Sequence, residues 1–269
     1  MNKTKPFLKW AGNKFHCLEF ILKSLPPGKR LIEPFAGSGA VFINSGYASY
    51  LLAERNLDLI TLYNHLQQEG SAFIDYCEQY FISLNNSPEQ YYRLRDQFNQ
   101  TQPSRERAAL FLYLNRHGYN GLCRYNLKGF YNVPFGRYRR PYFPRREMML
   151  FHHRSQPVQF IHADFRETFA LAEKGDIIYC DPPYVPLSAS ASFSSYIDKR
   201  FSEEDQIELA KLAIASANQG VTVVISNHDT AFTRHHYRDS DIMSFPVKRM
   251  ISCKAHQRLP VQELVAVFR

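Results

Sequence analysis

Asp176-Ile177-Ile178-Tyr179-Cys180-Asp181-Pro182-Pro183-Tyr184 is the stretch on which the fold turns. Its first five residues are short, apolar and rich in β-branched side chains, the pattern of an interior strand in a parallel sheet. Two prolines then end the strand, since neither donates to a ladder and both favour extended backbone. Asp181 is left at the carboxyl end, where open α/β sheets bind their ligands. A carboxylate beside a prolyl carbonyl offers two acceptors to one NH2 group, and the Tyr184 ring offers a face to a base. An exocyclic amine is a poor nucleophile because its lone pair is delocalised into the ring. Acceptors on its hydrogens draw the nitrogen towards tetrahedral geometry and stabilise the charge that develops during attack. The competing reading is an Asp that only caps a turn.

Working outward, residues 30–33 read as a strand that runs into Pro34-Phe35-Ala36-Gly37-Ser38-Gly39 and then an apolar stretch suited to a helix. Two glycines one residue apart let backbone approach a ligand closely. A second strand at 50–53 ends in Glu54, and an acid there is the usual partner of ribose hydroxyls. The turn has neither the longer glycine pattern of dinucleotide sites nor a phosphate-binding lysine, so a nucleoside without pyrophosphate fits better. Further strands are predicted at 158–162, ending at Asp164, at 221–226 and at 263–268, with a helix over 202–218.

Between the second and third strands the pattern changes. Apolar residues three and four apart predict helices over 57–66, 72–81, 89–98 and 105–114, with Pro88 and Ser104 as starts. Gly118, Gly121, Gly129 and Gly136 then punctuate Asn-rich extended pieces that read as a hairpin or loop. From Arg107 to Arg146 lie forty residues without one acidic side chain, carrying nine Lys and Arg against a net charge of +8 for the whole chain. Ten aromatics, among them Tyr119, Tyr125, Phe130 and Tyr138, are interleaved with them. Arginines neutralise phosphates and read guanine edges, while aromatics stack on bases, so the block is read as a nucleic-acid contact.

At 269 residues and 45% hydrophobic, the chain suffices for one large domain or two smaller ones. Its five cysteines are odd in number and scattered, against a disulfide frame or zinc site and for a reducing compartment. The pairs His152-His153 and His235-His236 are expected on the surface. No secretory signal is visible in the basic first 14 residues, and the longest apolar runs are strand-sized, so a soluble intracellular protein without a membrane span is expected. The small residues from Ser188 to Ser195 read as a mobile loop.

Four motifs in order then carry a resemblance over essentially the whole length. Phe7-Leu8-Lys9-Trp10-Ala11-Gly12-Asn13-Lys14, Glu33-Pro34-Phe35-Ala36-Gly37-Ser38-Gly39, Asn115-Arg116-His117-Gly118-Tyr119-Asn120-Gly121-Leu122-Cys123-Arg124 and Asp181-Pro182-Pro183-Tyr184 resemble the Dam-type DNA adenine-N6 methyltransferases. Asn132-Val133-Pro134-Phe135-Gly136-Arg137-Tyr138 and Ser226-Asn227-His228-Asp229-Thr230 extend the likeness. The order of cofactor motif, recognition insert and catalytic motif is the α arrangement of amino-methyltransferases.

The resemblance implies an α/β fold, a Rossmann-like class I methyltransferase sheet with an inserted helical and β-hairpin DNA-recognition domain. Residues 1–56 and 145–269 would form the catalytic domain and 57–144 the recognition domain. The implied activity is methyl transfer from S-adenosyl-L-methionine to adenine N6 in double-stranded DNA at GATC, with base flipping and no metal. Asp181, Pro182, Pro183 and Tyr184 would be catalytic. Trp10, Lys14, Phe35, Gly37, Gly39, Glu54, Asp164, Phe165 and Asp181 would bind the cofactor. Lys9, Leu122, Arg124, Pro134 and Tyr138 match base-reading positions, and Tyr119 and Asn120 match residues that fill the gap left by the flipped base. Arg95, Arg116, Asn126, Asn132 and Arg137 match backbone contacts. A cytoplasmic location in a bacterial or phage-infected cell is expected, with the oligomeric state left open and a monomer in solution favoured.

Three positions depart from the family pattern. Glu54 stands where Asp is common, which bears on cofactor affinity. Asn13 replaces a usual Gly and matters only where that backbone needs positive φ. The segment 250–254 lacks the expected glycines. Competing readings are a cytosine-N4 methyltransferase, whose motif usually begins with Ser, a glutamine methyltransferase with an Asn-Pro-Pro-Tyr motif, and an inactive DNA-binding regulator. The intact Gly37, Gly39, Glu54 and Asp181 favour an active enzyme.

Overall fold

The computed structural model describes residues 3–185, 201–247 and 261–269. The stretch from Ser188 to Ser195 and the segment 250–254 lie outside the described residues. The chain groups into two compact units, one from Met1–Phe15, Gly37–Asn44 and Glu54–His162, the other from His16–Ala36, Ser45–Ala53 and Ala163–Arg269.

The second unit is built on sheet. Numbered along the chain, its strands are β1 (Arg30–Glu33), β2 (Ser49–Glu54, whose last residue groups with the first unit), β4 (Ile177–Cys180), β5 (Thr222–His228), β6 (Asp241–Val247) and β7 (Val261–Phe268). They lie in the order β2-β1-β4-β5-β7-β6. β1 runs parallel to β2 and β4, β4 parallel to β5, and β7 antiparallel to both β5 and β6. Leu31, Ile32, Ile177 and Ile178 are buried and pair across β1 and β4, as the continuous apolar runs require of central parallel strands. The chain leaves β1 for β2 on one side and returns to β4 on the other. That reversal places a ligand crevice at the carboxyl ends of β1 and β4, from which Phe35 and Asp181 emerge.

Four helices belong to this unit: α1 (Leu18–Ser24), α7 (Phe165–Phe169), α8 (Glu203–Asn218) and α9 (Ala231–His236). Capping boxes start three of them, from Asp164 with Glu167, Ser202 with Asp205 and Thr230 with Thr233. β6 is an edge strand in which Pro246 is tolerated. Of its side chains Phe245 is the buried one, stacked on Phe20 at 4.4 Å.

The first unit is mainly helical. It holds α2 (Leu57–Glu69), α3 (Ser71–Glu78), α4 (Pro88–Gln100), α5 (Arg105–His117), α6 (Arg145–Arg154) and strand β3 (Val158–His162). α5 is buried from Ala108 to Asn115, apolar on all sides, and so forms the centre against which α2, α3 and α4 pack. Ser87 and Ser104 cap α4 and α5, with Pro88 at the first helical position. Phe7, Tyr63 and Phe151 make an aromatic core with centroids 4.7–6.0 Å apart.

One local expectation changes. The helix foreseen after Gly39 is a short 3-10 turn, Phe42–Asn44. The Asn44 amide donates to the Ala40 and Thr4 carbonyls at 2.8 and 2.9 Å, offering the backbone an alternative to a continuing helix. The segment 118–136, read as a hairpin or loop, carries two isolated antiparallel bridges, Gly118 with Phe135 and Tyr125 with Tyr131. Among the described residues no helix is long and apolar enough to cross a membrane.

Candidate active site and nucleic-acid interface

In the first unit, the strand-tip acid organises the glycine turn. Glu54 accepts the backbone N–H of Gly37 at 3.2 Å on one oxygen and that of Asn56 at 3.3 Å on the other. Gly37 and Gly39 have φ of +46° and +69°, which glycine adopts without strain. A Cβ at Gly37 would meet the Trp10 indole nitrogen at 2.9 Å, so the ring lies directly on this backbone. The Gly37 carbonyl accepts the Tyr63 phenol at 2.6 Å. Burial raises the Glu54 carboxyl above its ordinary range, and the N–H groups of Gly37, Asn56 and Arg55 oppose the shift. Lys14 is buried, with its ammonium 2.9 Å from the Gly12 carbonyl. Asn13 is not in the positive-φ region, which Gly12 occupies at +76°, so Asn at this position is unstrained. A carboxylate fixed by backbone donors beside an indole face suits the sugar and flat surface of a nucleoside.

Glu54 also gives the apo protein a pH dependence. Its folded-state value lies above the unfolded one, so between the two the folded state binds more protons. Stability is fully present below the ordinary carboxylate range and is lost as pH rises through the raised value. Glu54→Gln is expected to remove that loss and to melt higher than wild type near neutral pH without ligand. S-adenosyl-L-homocysteine, a ligand of the class that the resemblance implies, would stabilise the wild type by about 2.7 kcal/mol at one hundred times its Kd, and the variant should show a clearly smaller shift. Thermal melts across pH, with and without this ligand, measure both; equal ligand shifts would mean that Glu54 does not touch it.

In the second unit, the Asp181-Pro182-Pro183-Tyr184 loop is held from beneath by the end of β5. The Ser226 hydroxyl lies 3.2 Å from Asp181 Oδ1 and 3.3 Å from the Cys180 carbonyl. Both of those only accept, so Ser226 shares its single hydroxyl proton between them, and the Tyr179 phenol donates to Ser226 across 3.0 Å. Asn227, fully buried, accepts the Val185 N–H at 3.2 Å and donates to Gln206 and to the Tyr237 hydroxyl, each at 3.1 Å. Gln206 passes this on, its amide nitrogen 2.6 Å from the Pro183 carbonyl. His228 Nδ1 meets the Val185 carbonyl at 2.7 Å, and its ring stands edge-on to Tyr184 at 4.8 Å. The Tyr184 phenol donates to Glu263 on β7 at 3.2 Å. Burial, then the Asp181 charge, raises Tyr184 far above the ordinary phenol range, keeping it a donor. A buried and satisfied network of this kind fixes geometry. Ser226-Asn227-His228 carries no legible task in the sequence alone; its one signal there is a polar triplet ending an apolar strand. Gln206 and Glu263 carried no comparable signal.

Three further residues of this unit, Phe35, Asp164 and Phe165, are among the cofactor positions that the resemblance implies. Phe35 and Phe165 stack at 5.7 Å, and Phe201 meets both edge-on or tilted at 5.6 and 5.5 Å. Asp164 caps α7 through the Arg166 N–H at 3.1 Å, and the Arg166 guanidinium reaches Asp164, Asp205 and Glu208 at 3.1, 2.5 and 2.5 Å.

The acid-free block divides by exposure. Arg124, Asn126, Lys128, Pro134, Arg137, Arg139 and Arg140 are exposed, as are Tyr119 and Asn120. Asn120 and Arg137 hold positive φ, +52° and +54°. The Arg124 guanidinium donates to the Asn132 side chain at 2.8 Å and its carbonyl at 3.2 Å. Asn126 accepts the N–H groups of Lys128 and Phe130, at 2.9 and 3.0 Å, closing the loop tip. Tyr119 N–H meets the Pro134 carbonyl at 2.9 Å, and the Leu122 carbonyl accepts the Tyr131 phenol at 2.9 Å. Lys9 lies over the Tyr138 ring at 3.7 Å, and burial, then the Arg116 charge, pushes it down to about 8. Arg116 is half-buried, donating to the Tyr142 and Phe7 carbonyls at 3.0 and 3.4 Å. Arg95 donates to the Val133 carbonyl at 3.2 Å. Arg107 does not face outward: it forms a two-pronged ion pair with buried Asp58, and Arg145 pairs with Asp75 and Glu78.

The model of the D12 class N6 adenine-specific DNA methyltransferases matches residues 10–251. The chain belongs to that family. This D12 methyltransferase is 46% identical over 269 residues to the DNA adenine methylase of Vibrio cholerae, spanning 100% of this chain and 97% of the relative. It is 44% identical to that of Escherichia coli K12 at the same coverage. The DNA adenine methylase of Serratia marcescens is 46% identical over 270 residues, with both chains covered completely. As a D12 methyltransferase the protein is an S-adenosylmethionine-dependent enzyme that methylates adenine N6 in DNA.

Proposed function

We propose that this enzyme methylates the adenine of GATC in duplex DNA after rotating that nucleotide out of the helix, with residues 57–144 as its recognition domain and the remainder as its catalytic domain. The observation that carries the reading is the Asp181 carboxylate held by Ser226 at the tip of β4 beside the anchored Tyr184 ring. Adenine N6 is paired inside the duplex, and methyltransferases flip such bases at a cost of a few kcal/mol. The Tyr184 face takes up the extruded base, and Tyr119 and Asn120 fill the gap.

The bound cofactor supplies an electrophilic sulfonium methyl. Asp181 and one prolyl carbonyl accept the two N6 hydrogens and stabilise positive charge as the nitrogen attacks, acting electrostatically without a strong base. The Pro183 carbonyl is taken by Gln206, which leaves the acceptor role to Pro182. Trp10, Lys14, Phe35, Gly37, Gly39, Glu54, Asp164 and Phe165 bind the cofactor. Positioning of the two reactants supplies much of the rate. Lys9, Leu122, Arg124, Pro134 and Tyr138 read bases, while Arg95, Arg116, Asn126, Asn132 and Arg137 hold the backbone. The enzyme works in the cytoplasm and is a monomer in solution.

Methylation of plasmid DNA followed by mapping of the modified base tests the proposal. N6-methyladenine confined to GATC is the expected result. N6-methyladenine in another context would overturn the site specificity, and N4-methylcytosine would overturn the adenine reading itself.

A further inference from the structure

Arg124 lies between two side chains tied to a different element. Cys123 Sγ accepts the Asn56 amide at 3.2 Å, and the Tyr125 phenol donates to Asp58 Oδ2 at 2.6 Å. Arg124, the residue between, is exposed, as alternation along extended backbone gives. Asn56 and Asp58 form the start of α2: the Asn56 side chain accepts the N–H groups of Asp58 and Leu59. The partner of Tyr125 has little freedom. Asp58 is buried and clamped by Arg107 through bonds of 2.5 and 3.1 Å, and Arg107 also holds the Phe98 and Thr101 carbonyls at 2.6 Å each. The same helix start reaches the glycine turn, since the Asn56 N–H donates to Glu54, whose second oxygen accepts Gly37 N–H.

We infer that Cys123 and Tyr125 are positioning residues for base reading, tying the Arg124 backbone to the start of α2 and through Asn56 to the acid of the cofactor site. The inference rests on the proposed roles of Arg124 and Glu54. With both neighbours anchored, Arg124 exchanges Asn132 for a guanine edge by side-chain rotation, without the ordering cost of a free loop. A ligand that fixes Glu54 also fixes the support of the reading loop. By linkage, specific DNA then favours the cofactor site by the same factor.

The double variant Tyr125→Phe/Cys123→Ala cuts both ties and leaves Arg124, Asn132, Glu54 and the Asp58–Arg107 pair in place. Two readouts are compared with wild type: rates on GATC against duplexes with one substituted base pair, and duplex affinity with and without S-adenosyl-L-homocysteine. Discrimination should fall about five- to ten-fold, within the range of indirect coupling effects. The gain in duplex affinity from S-adenosyl-L-homocysteine should fall with it, while that ligand binds the free variant as it binds wild type. Wild-type discrimination together with a wild-type gain overturns the inference. Should the double variant not fold, Tyr125→Phe alone decides, because it keeps the ring and removes one hydroxyl; unchanged discrimination there is equally fatal. Arg124→Ala separates the two levels: loss in it with none in the tie variants overturns this inference alone, whereas no loss in it overturns the reading of guanine by Arg124.

Discussion

Asp181→Ala is expected to abolish methylation and to leave DNA binding in place. In the proposed mechanism the carboxylate serves the amine and not the phosphates, and it belongs to the second unit whereas the acid-free basic block belongs to the first. Loss of one preorganised electrostatic partner costs enzymes about 100- to 1,000-fold in kcat, and here the lost group is the charged one of the two acceptors. The decrease should therefore reach at least about a thousand-fold. Ser226→Ala keeps the carboxylate and removes the hydroxyl 3.2 Å from it, so its activity should fall between the two. Single-turnover rates on a GATC duplex, with affinity measured separately by anisotropy, check both. Near-normal turnover in Asp181→Ala would mean that the amine is held elsewhere.

The second large effect concerns selectivity. A bidentate contact from Arg to guanine O6 and N7 contributes roughly 1–3 kcal/mol of discrimination, so Arg124→Ala should lose about one to two orders of magnitude of preference at one base pair of GATC. Without DNA, the guanidinium donors rest on Asn132, an acceptor pair that a guanine edge can replace. The cofactor-induced rise in melting temperature should persist, because Glu54, Gly37 and Trp10 are untouched. Rates on GATC against four sets of single substitutions decide the matter. A uniform decrease on every duplex would make Arg124 a phosphate contact.

Much of this was legible beforehand because it depends on local pattern. The apolar run 177–180 and the proline pair fixed β4 and its tip, and Pro88 and Ser104 marked two helix starts through local backbone chemistry alone. What escaped was set by tertiary context. α6 buries only Met148 and Phe151 among basic and His side chains, too narrow a stripe to read as periodic. β6 has one buried residue and an internal proline, so it exists because β7 offers it a partner. The support of the catalytic loop was hidden for a related reason. Gln206 lies on α8 and Glu263 at the start of β7, and neither spacing nor residue type announces that they reach Pro183 and Tyr184. Net charge misled in one respect, since it gave equal weight to every Arg in the acid-free block.

The pairing of Arg107 with Asp58 changes what titration with salt can reveal. DNA association releases the counterions condensed on each phosphate that a cation neutralises, and log K falls with log salt by about 0.9 per phosphate for B-DNA. Arg107 is already neutralised by a buried carboxylate of the fold, so it displaces no counterions when DNA arrives. The salt slope of this enzyme should thus count its outward cations, such as Arg137, Arg139 and Arg140, and fall short of what the composition of the block implies. Part of the apparent basicity of the acid-free block is internal scaffolding that an electrolyte does not sense.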